Sequence, residues 1–251
     1  MGRTLYALAR CKKRRNSGDY ADVAAAGPAR RLTMAGVGVG DGVGVAEWMD
    51  DVLGVTVCVQ NTGVNRPVYH ASGGIGGLAY VGFDGIQQYF DGMAGDVNLW
   101  DWAGWTAGEV FVVVSSGEAP PTDPLKTGLW VAGTHGMNEH FPYTSGHGFL
   151  GWGSDTRRDV GSLSFPTGSC SLLNIWSRTG GWGAYLNGVC LLSTGSNNFG
   201  LLNSAQLLGR SVDNNVFFYG KMYELVAYGR VLSDVERTKV GRGLMKQYGI
   251  A

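Results

Sequence analysis

Residues 180–192 read Gly-Gly-Trp-Gly-Ala-Tyr-Leu-Asn-Gly-Val-Cys-Leu-Leu. Residues 182–186 and 189–192 are short β-prone runs, and Asn187-Gly188 stands between them. A two-residue connection of this kind needs positive φ at both positions, which asparagine and glycine tolerate best. The stretch therefore predicts a β-hairpin closed by a type I′ turn. Further short runs surround it at 55–59, 78–83, 109–114, 128–133, 172–177 and 221–228. The run 109–114 is apolar from Val110 onward, as expected of a central strand covered on both faces. Composition agrees. Glycine, 42 of 251 residues, is more than twice its usual share of about 7%. It shows no G-X-Y period and proline numbers only 7, which excludes collagen. A hydrophobic share of 44%, with 8 Trp, 11 Tyr and 9 Phe, argues against disorder. Charged residues make up only 16%, and helix-rich proteins spend more of them on solvent faces. The expected class is all-β.

One helix stands out from this background. Ser233-Asp234-Val235-Glu236 is a capping box, Val240, Leu244 and Tyr248 form one stripe, and Gly249 suits a left-handed stop. These signals predict a helix over 234–248. Residues 35–46 read AGVGVGDGVGVA. Their period of two predicts a strand with its valines on one face, able to lie close against another chain. Two irregular stretches, 84–108 and 134–168, read as long surface loops, where binding tends to reside.

The order of several motifs matches a known family. Arg66-Pro67-Val68-Tyr69 is followed by Tyr80-Val81-Gly82-Phe83-Asp84-Gly85. Then come Ala184-Tyr185-Leu186-Asn187-Gly188 and the strand Tyr219-Gly220-Lys221-Met222-Tyr223-Glu224-Leu225-Val226-Ala227-Tyr228. The last and most specific piece is Arg230-Val231-Leu232-Ser233-Asp234-Val235-Glu236-Arg237, ending at Gln247-Tyr248-Gly249-Ile250. From Glu47 to the C-terminus the chain thus resembles the concanavalin A-like (LamG-type) jelly-roll domains of bacteriophage structural proteins. The resemblance implies a two-sheet antiparallel β-sandwich with one C-terminal α-helix. It implies little about function, because such sandwiches host lectins, hydrolases and structural modules alike.

The net charge of zero divides unevenly. Residues 1–31 carry eight basic and two acidic residues, and the remainder is acidic by the same margin. We read 1–34 as an extended basic arm with at most one helical turn, and 35–251 as the sandwich. Arg10, Lys12, Lys13, Arg14, Arg15, Arg30 and Arg31 are the candidate assembly residues of that arm. An acidic protein surface is their favoured partner. Nucleic acid is disfavoured, because no interleaved aromatics or recognised binding fold accompany them. No apolar stretch approaches 18 residues, so no membrane helix is expected. The terminal charges follow a short apolar piece rather than precede a long one, which is the wrong order for a secretory signal.

Most catalytic patterns are missing. Glycoside hydrolysis needs two flanking carboxylates, and no E-x-D-x-E strand motif occurs; Glu47-x-x-Asp50 has the wrong period. The G-x-S-x-G elbow and the phosphate loop are absent, and the Gly-rich stretch at 36–44 never satisfies G-x-G-x-x-G because its period is two. The expectation is a protein that is not an enzyme. No cofactor is called for. His135, His140 and His147, with Glu139 and Asp155 nearby, match no zinc spacing. Asp91, Asp96 and Asp101 could supply oxygens to Ca²⁺, but they lack the dense D-x-D-x-D pattern and read as turn residues. Cys11, Cys58, Cys170 and Cys190 form no CxxC pair; they read as buried or free thiols, with a Cys170–Cys190 contact across adjacent strands left open.

A carbohydrate platform has a physical case. Residues 99–105 concentrate three tryptophans, and indoles stack on the C–H faces of sugars. Trp100, Asp101, Trp102 and Trp105 are the candidate sugar-binding residues, against the alternative that they cap the core. The leading functional expectation is a virion structural protein on the particle surface: a capsid decoration, head-fibre or tail-associated subunit. Its partners would be other capsid or tail proteins and further copies of itself, with a surface glycan as an added ligand. The alternative is a lectin-like module of a receptor-binding fibre, and a polysaccharide depolymerase ranks third.

Overall fold

The computed structural model describes residues 17–101, 103–118, 121–132, 139–163, 169–201, 205–213 and 215–251. Its strands are β1 (Arg30–Leu32), β2 (Glu47–Asp50), β3 (Val55–Val59), β4 (Val68–His70), β5 (Tyr80–Asp84), β6 (Phe90–Asp91) and β7 (Ala107–Ser116). They continue as β8 (Trp130–Val131), β9 (His147–Leu150), β10 (Arg158–Ser162), β11 (Ser171–Arg178), β12 (Gly181–Leu186), β13 (Val189–Thr194), β14 (Leu207–Leu208) and β15 (Tyr219–Tyr228). Two helices, α1 (Ser17–Ala25) and α2 (Asp234–Tyr248), complete the fold.

The first sheet runs β13-β12-β11-β7-β15-β5-β4, and β1 pairs with the far half of β15. The second runs β2-β3-β6-β14-β8. Bridges from Gly128 to His140 and from His140 to Phe149 carry it on to the β9–β10 hairpin. Every pairing among these strands is antiparallel. The fold is the expected antiparallel β-sandwich.

Alternation along β7 and β15 explains how the layers stack. Val110, Val112 and Val114 face the second sheet together with Met222, Leu225 and Ala227, and pack with Trp48, Phe90 and Trp130. The intervening Phe111, Val113, Val226 and Tyr228 point outward and pack with Val23, Val240 and Leu244 of the two helices. The continuous apolar run of β7 is thus covered on both faces. Each such buried side chain contributes about 1.5–3 kcal/mol of transfer free energy.

Local signals fall where the sequence puts them. Asn187 and Gly188 have φ of 50° and 78°, the pair a type I′ turn needs. The hydroxyl of Ser233 accepts from the Glu236 amide, the Glu236 carboxylate accepts from the Ser233 amide, and Gly249 ends α2 at φ 63°. Two buried carboxylates fix the ends of α2. Glu109 on β7 pairs with Arg237 at 2.7 Å, and Glu224 on β15 accepts from the Tyr248 hydroxyl at 2.8 Å.

Three expectations change. Residues 17–32 are not an extended arm: α1 packs against α2, and β1 pairs with β15. The Gly/Val stretch is not a regular strand. It opens with a 3₁₀ turn over Met34–Gly36, and Gly38 and Gly42 take left-handed φ of 70° and 73°. Residues without a Cβ cost little there, so the chain turns twice where strict alternation alone suggests extension. Its far part does pair, but with its own chain: the Tyr69 amide donates to the Val43 carbonyl at 3.0 Å and the Val45 amide to the Pro67 carbonyl at 2.8 Å. That contact closes the open edge of β4. The stretch 134–168, read as a loop, holds the β9–β10 hairpin. Cys58, Cys170 and Cys190 are free thiols, as expected; Cys170 is buried and Cys190 exposed.

Candidate functional site: an aromatic groove on the first sheet

The outer face of the first sheet is only partly roofed. Along β15 its outward residues change from Tyr228 and Val226 to Tyr223, Lys221 and Tyr219. Along β7 they change from Phe111 and Val113 to Ser115. Where the apolar residues stop, an open groove of about 470 Å³ begins. Register sets its floor: Val68, Gly82, Lys221 and Ser115 lie side by side on β4, β5, β15 and β7. One wall is His70 and Tyr80, and the other is Asp84, Gln88 and Tyr219.

Each wall has a local cause. His70 and Tyr80 are cross-strand partners and stack at 4.6 Å with 21° between their planes. A Cβ on Gly82 would come 3.3 Å from the Tyr80 ring and 3.4 Å from His70, so glycine keeps the floor clear. The Asp84 carboxylate accepts the amides of Ile86, Gln87 and Gln88 at 2.9–3.0 Å, which folds the turn that presents Gln88. The glycine-rich loop before β5 overhangs the groove. Its Ile75 amide donates to the Tyr223 hydroxyl at 3.3 Å, and Lys221 Nζ donates to the Gly73 carbonyl at 3.1 Å. Burial pushes the Tyr223 phenol up to about 12, so it stays protonated as a hydrogen-bond group. Lys221 Nζ also lies 4.4 Å over the Tyr80 ring. His70 comes from β4 on one side of β5 and Lys221 from β15 on the other, so Tyr80 is held between them.

The composition is that of a ligand site: aromatic surface with a few convergent polar groups. A second cleft of about 570 Å³ lies among 155–158, 179–180 and 194–198, and no aromatic ring lines it. Its Arg158 guanidinium donates to Ser154 Oγ, Thr156 O, Ser196 O and Asn197 Oδ1 at 2.6–3.1 Å. That arginine ties loops together.

Among the described residues the expected sugar platform does not form. Trp100 is fully buried, edge-on to Trp130 and Trp152 at 6.1 and 5.6 Å, and its backbone is clasped by Gln206. It packs the core, because a large indole between two sheets removes more apolar area from water than any exposed position allows. Asp101 caps the Gly104 amide at 3.0 Å. Trp105 is half-buried against the core beneath the Arg30 guanidinium. Trp102 lies outside the described residues.

The arm assignment changes as well. Arg30 is buried, donates to the Asn98 carbonyl and lies 3.8 Å from Asp50; Arg31 pairs with Glu224 at 2.8 Å. Both are internal ties. Arg10, Lys12, Lys13, Arg14 and Arg15 lie outside the described residues. Asp91, Asp96 and Asp101 each accept a nearby backbone amide and do not converge. His140 is buried with Nδ1 2.6 Å from Thr127 Oγ1, His147 faces Asp159, and His135 lies outside the described residues.

No family model matches the chain, and no curated protein matches it in sequence. Solved structures do match in shape. A Trypanosoma rangeli sialidase, solved with the inhibitor DANA, aligns at TM-score 0.55 and 13% identity over 84% of this chain. The chain spans about a third of that sialidase, 32%. Domain 4 of AbnA, a GH43 extracellular arabinanase of Geobacillus stearothermophilus, solved with arabinotriose, aligns at TM-score 0.52 and 20% identity. That match covers 70% of this chain and 81% of the domain. The receptor binding domain of botulinum neurotoxin type G aligns at TM-score 0.55 and 10% identity, over 87% of this chain and 51% of its own.

At these identities the likeness shows the fold alone. It still corrects the expectation that the chain is not an enzyme, because two of the three neighbours are portions of enzymes. None of the three is described as a virion protein, so the phage setting gains no support from them.

Proposed function

We propose that this chain is a carbohydrate-binding β-sandwich module whose ligand lies in the groove over Gly82. The observation that carries the reading is the groove itself. It is the place where the outer face of the first sheet changes from helix-covered apolar residues to open tyrosines, a lysine, an aspartate and a glutamine. Aromatic walls suit the C–H faces of a sugar, and the polar groups suit its hydroxyls. The arabinanase domain solved with arabinotriose gives the reading a precedent within the same fold.

Gly82→Val is the discriminating variant. Valine favours a strand, so the sheet tolerates it, while its branches project into the groove between His70 and Tyr80. Titration calorimetry on the full chain, with the oligosaccharides that bind it on a glycan array, is expected to show at least a tenfold loss of affinity with an unchanged unfolding midpoint. Unchanged affinity in the folded variant, or an array without hits, overturns the proposal. On the resemblance to phage proteins, such a module would sit on a particle surface, held by Arg10 and Lys12 to Arg15. Deleting residues 1–16 would then abolish incorporation and leave glycan binding intact.

A further inference from the structure

We propose that the saccharide carries an anionic group, carboxylate or sulfate, and that Lys221 is its receptor; this rests on reading the groove as a sugar site. Lys221 sits in the middle of the groove floor, between Gly82 and Ser115. Among the described residues its ammonium has no carboxylate within ion-pair distance, whereas Arg30, Arg31, Lys126, Arg230 and Arg237 each have one. Its acceptor is a neutral one, the Gly73 carbonyl. The groove's own carboxylate, Asp84, holds three backbone amides through one oxygen. Those bonds keep it in its turn rather than over the lysine. At the far side Lys126 is matched by Glu118 at 3.7 Å and leans over Tyr219.

Geometry then links charge to access. With His70 on one face of Tyr80, the other face is the one Lys221 covers at 4.4 Å. A neutral sugar reaching that face must displace the ammonium from both its carbonyl and its ring, and offers only hydroxyls in return. A sugar with an anionic group gives the ammonium a charge-assisted bond, roughly twice as strong as a neutral one. The ring is then freed for stacking. Lys221 thus acts as a filter as well as a ligand.

The test compares 3′-sialyllactose with lactose, trigalacturonate with its carboxyl-reduced trimer, and a sulfated galactan oligomer with the unsulfated one. All are titrated into the full chain and into Lys221→Gln. In at least one pair the charged member is expected to bind tenfold or more tightly, with affinity falling as salt rises. Which pair responds separates carboxylate from sulfate. Lys221→Gln is expected to erase that difference from both sides, weakening the charged member and leaving the neutral member bound at least as tightly as in the parent chain, with circular dichroism and unfolding midpoint unchanged. A neutral member that binds as well as its charged partner, or a preference that survives Lys221→Gln, overturns this inference and leaves the sugar site standing. Absence of binding by every probe overturns the inference, and an empty array alongside it overturns the sugar site too.

Discussion

Replacing Arg237 by alanine should be among the most damaging single changes outside the sandwich core. Glu109 is fully buried and receives four hydrogen bonds. Arg237 supplies two of them, from Nε at 2.7 Å and a terminal nitrogen at 3.1 Å; Asn174 and the Leu232 amide supply the others at 2.9 Å each. Alanine leaves a carboxylate in the apolar layer beneath α2 without its cation. Breaking a buried pair from one side costs about 3–5 kcal/mol. Arg237 also rests against Trp176 and Tyr185 at 5.7 and 5.6 Å, worth about another 0.5–1 kcal/mol. The sum, about 4–6 kcal/mol, is a large share of the roughly 5–15 kcal/mol that holds a typical domain together. It corresponds to a melting-point drop of about 10 °C or more for a chain of this size.

Burial raises the Glu109 pKa and Arg237 pulls it back down. Without the arginine the folded-state value rises further above the unfolded one. A carboxyl raised on folding contributes stability below its unfolded pKa and loses it as pH climbs toward the folded value. Urea unfolding followed by tryptophan fluorescence should therefore show a larger deficit for Arg237→Ala at pH 7 than at pH 5. Glu109→Gln/Arg237→Ala should be less impaired than Arg237→Ala at pH 7. A deficit below about 1 kcal/mol at pH 7, or one that does not shrink at pH 5, would refute the assignment of this pair as the anchor of α2.

Glu139 is fully enclosed, accepts from Trp130 Nε1 and the Gly151 amide at 2.8 Å each, and burial pushes its pKa up to about 7. Its contribution to stability is complete below about pH 4.5 and fades as pH rises through 7, so Glu139→Gln should flatten the loss of stability between pH 5 and pH 8 by about 3 kcal/mol in chemical unfolding. His140 opposes this at lower pH: burial lowers it to about 4, so its contribution is present above about pH 6.5 and lost as pH falls toward 4. Cys190 is exposed on β13, whereas burial raises the Cys58 and Cys170 thiols. A thiol reagent should therefore modify Cys190 in the native protein at least tenfold faster than either, and equal rates for Cys190 and Cys170 by peptide mapping would contradict the burial.

The sandwich was legible because its signals are local. Asn187-Gly188 needs only two φ values, and the Ser233–Glu236 box needs only one helical turn. Both fall at the residues that carry them. The Gly/Val stretch was misread because glycine supports a strand and a left-handed turn almost equally, and only its pairing to 67–69 decides between them. Trp100 was misread because a surface platform and a core cap have the same composition; what separates them is Gln206, distant in sequence, which clasps the Trp100 backbone. The groove did leave a trace. Tyr219, Lys221 and Tyr223 alternate with inward residues and then yield to Val226 and Tyr228, which is how a half-covered face looks in a strand.

That half-covering also says why the groove lies where it does. Helix α2 starts beside Glu109, whose strand partner is Tyr228, and ends with Tyr248 on Glu224 and against the Tyr223 ring at 5.9 Å. It therefore runs over β7 and β11 and reaches β15 only at its end, over Glu224 and Tyr223, while α1 covers Tyr228 through Val23. Fifteen helical residues span about 22 Å. Ten strand residues span about 33 Å, so the helix cannot cover the whole of β15. Gly249 stops it in the left-handed conformation at the border where Tyr223 meets Tyr80. Beyond that stop the face passes to Lys221 and Tyr219, side chains that tolerate water. The helix terminator and the polarity switch on β15 thus coincide at one place, and the groove is the uncovered remainder.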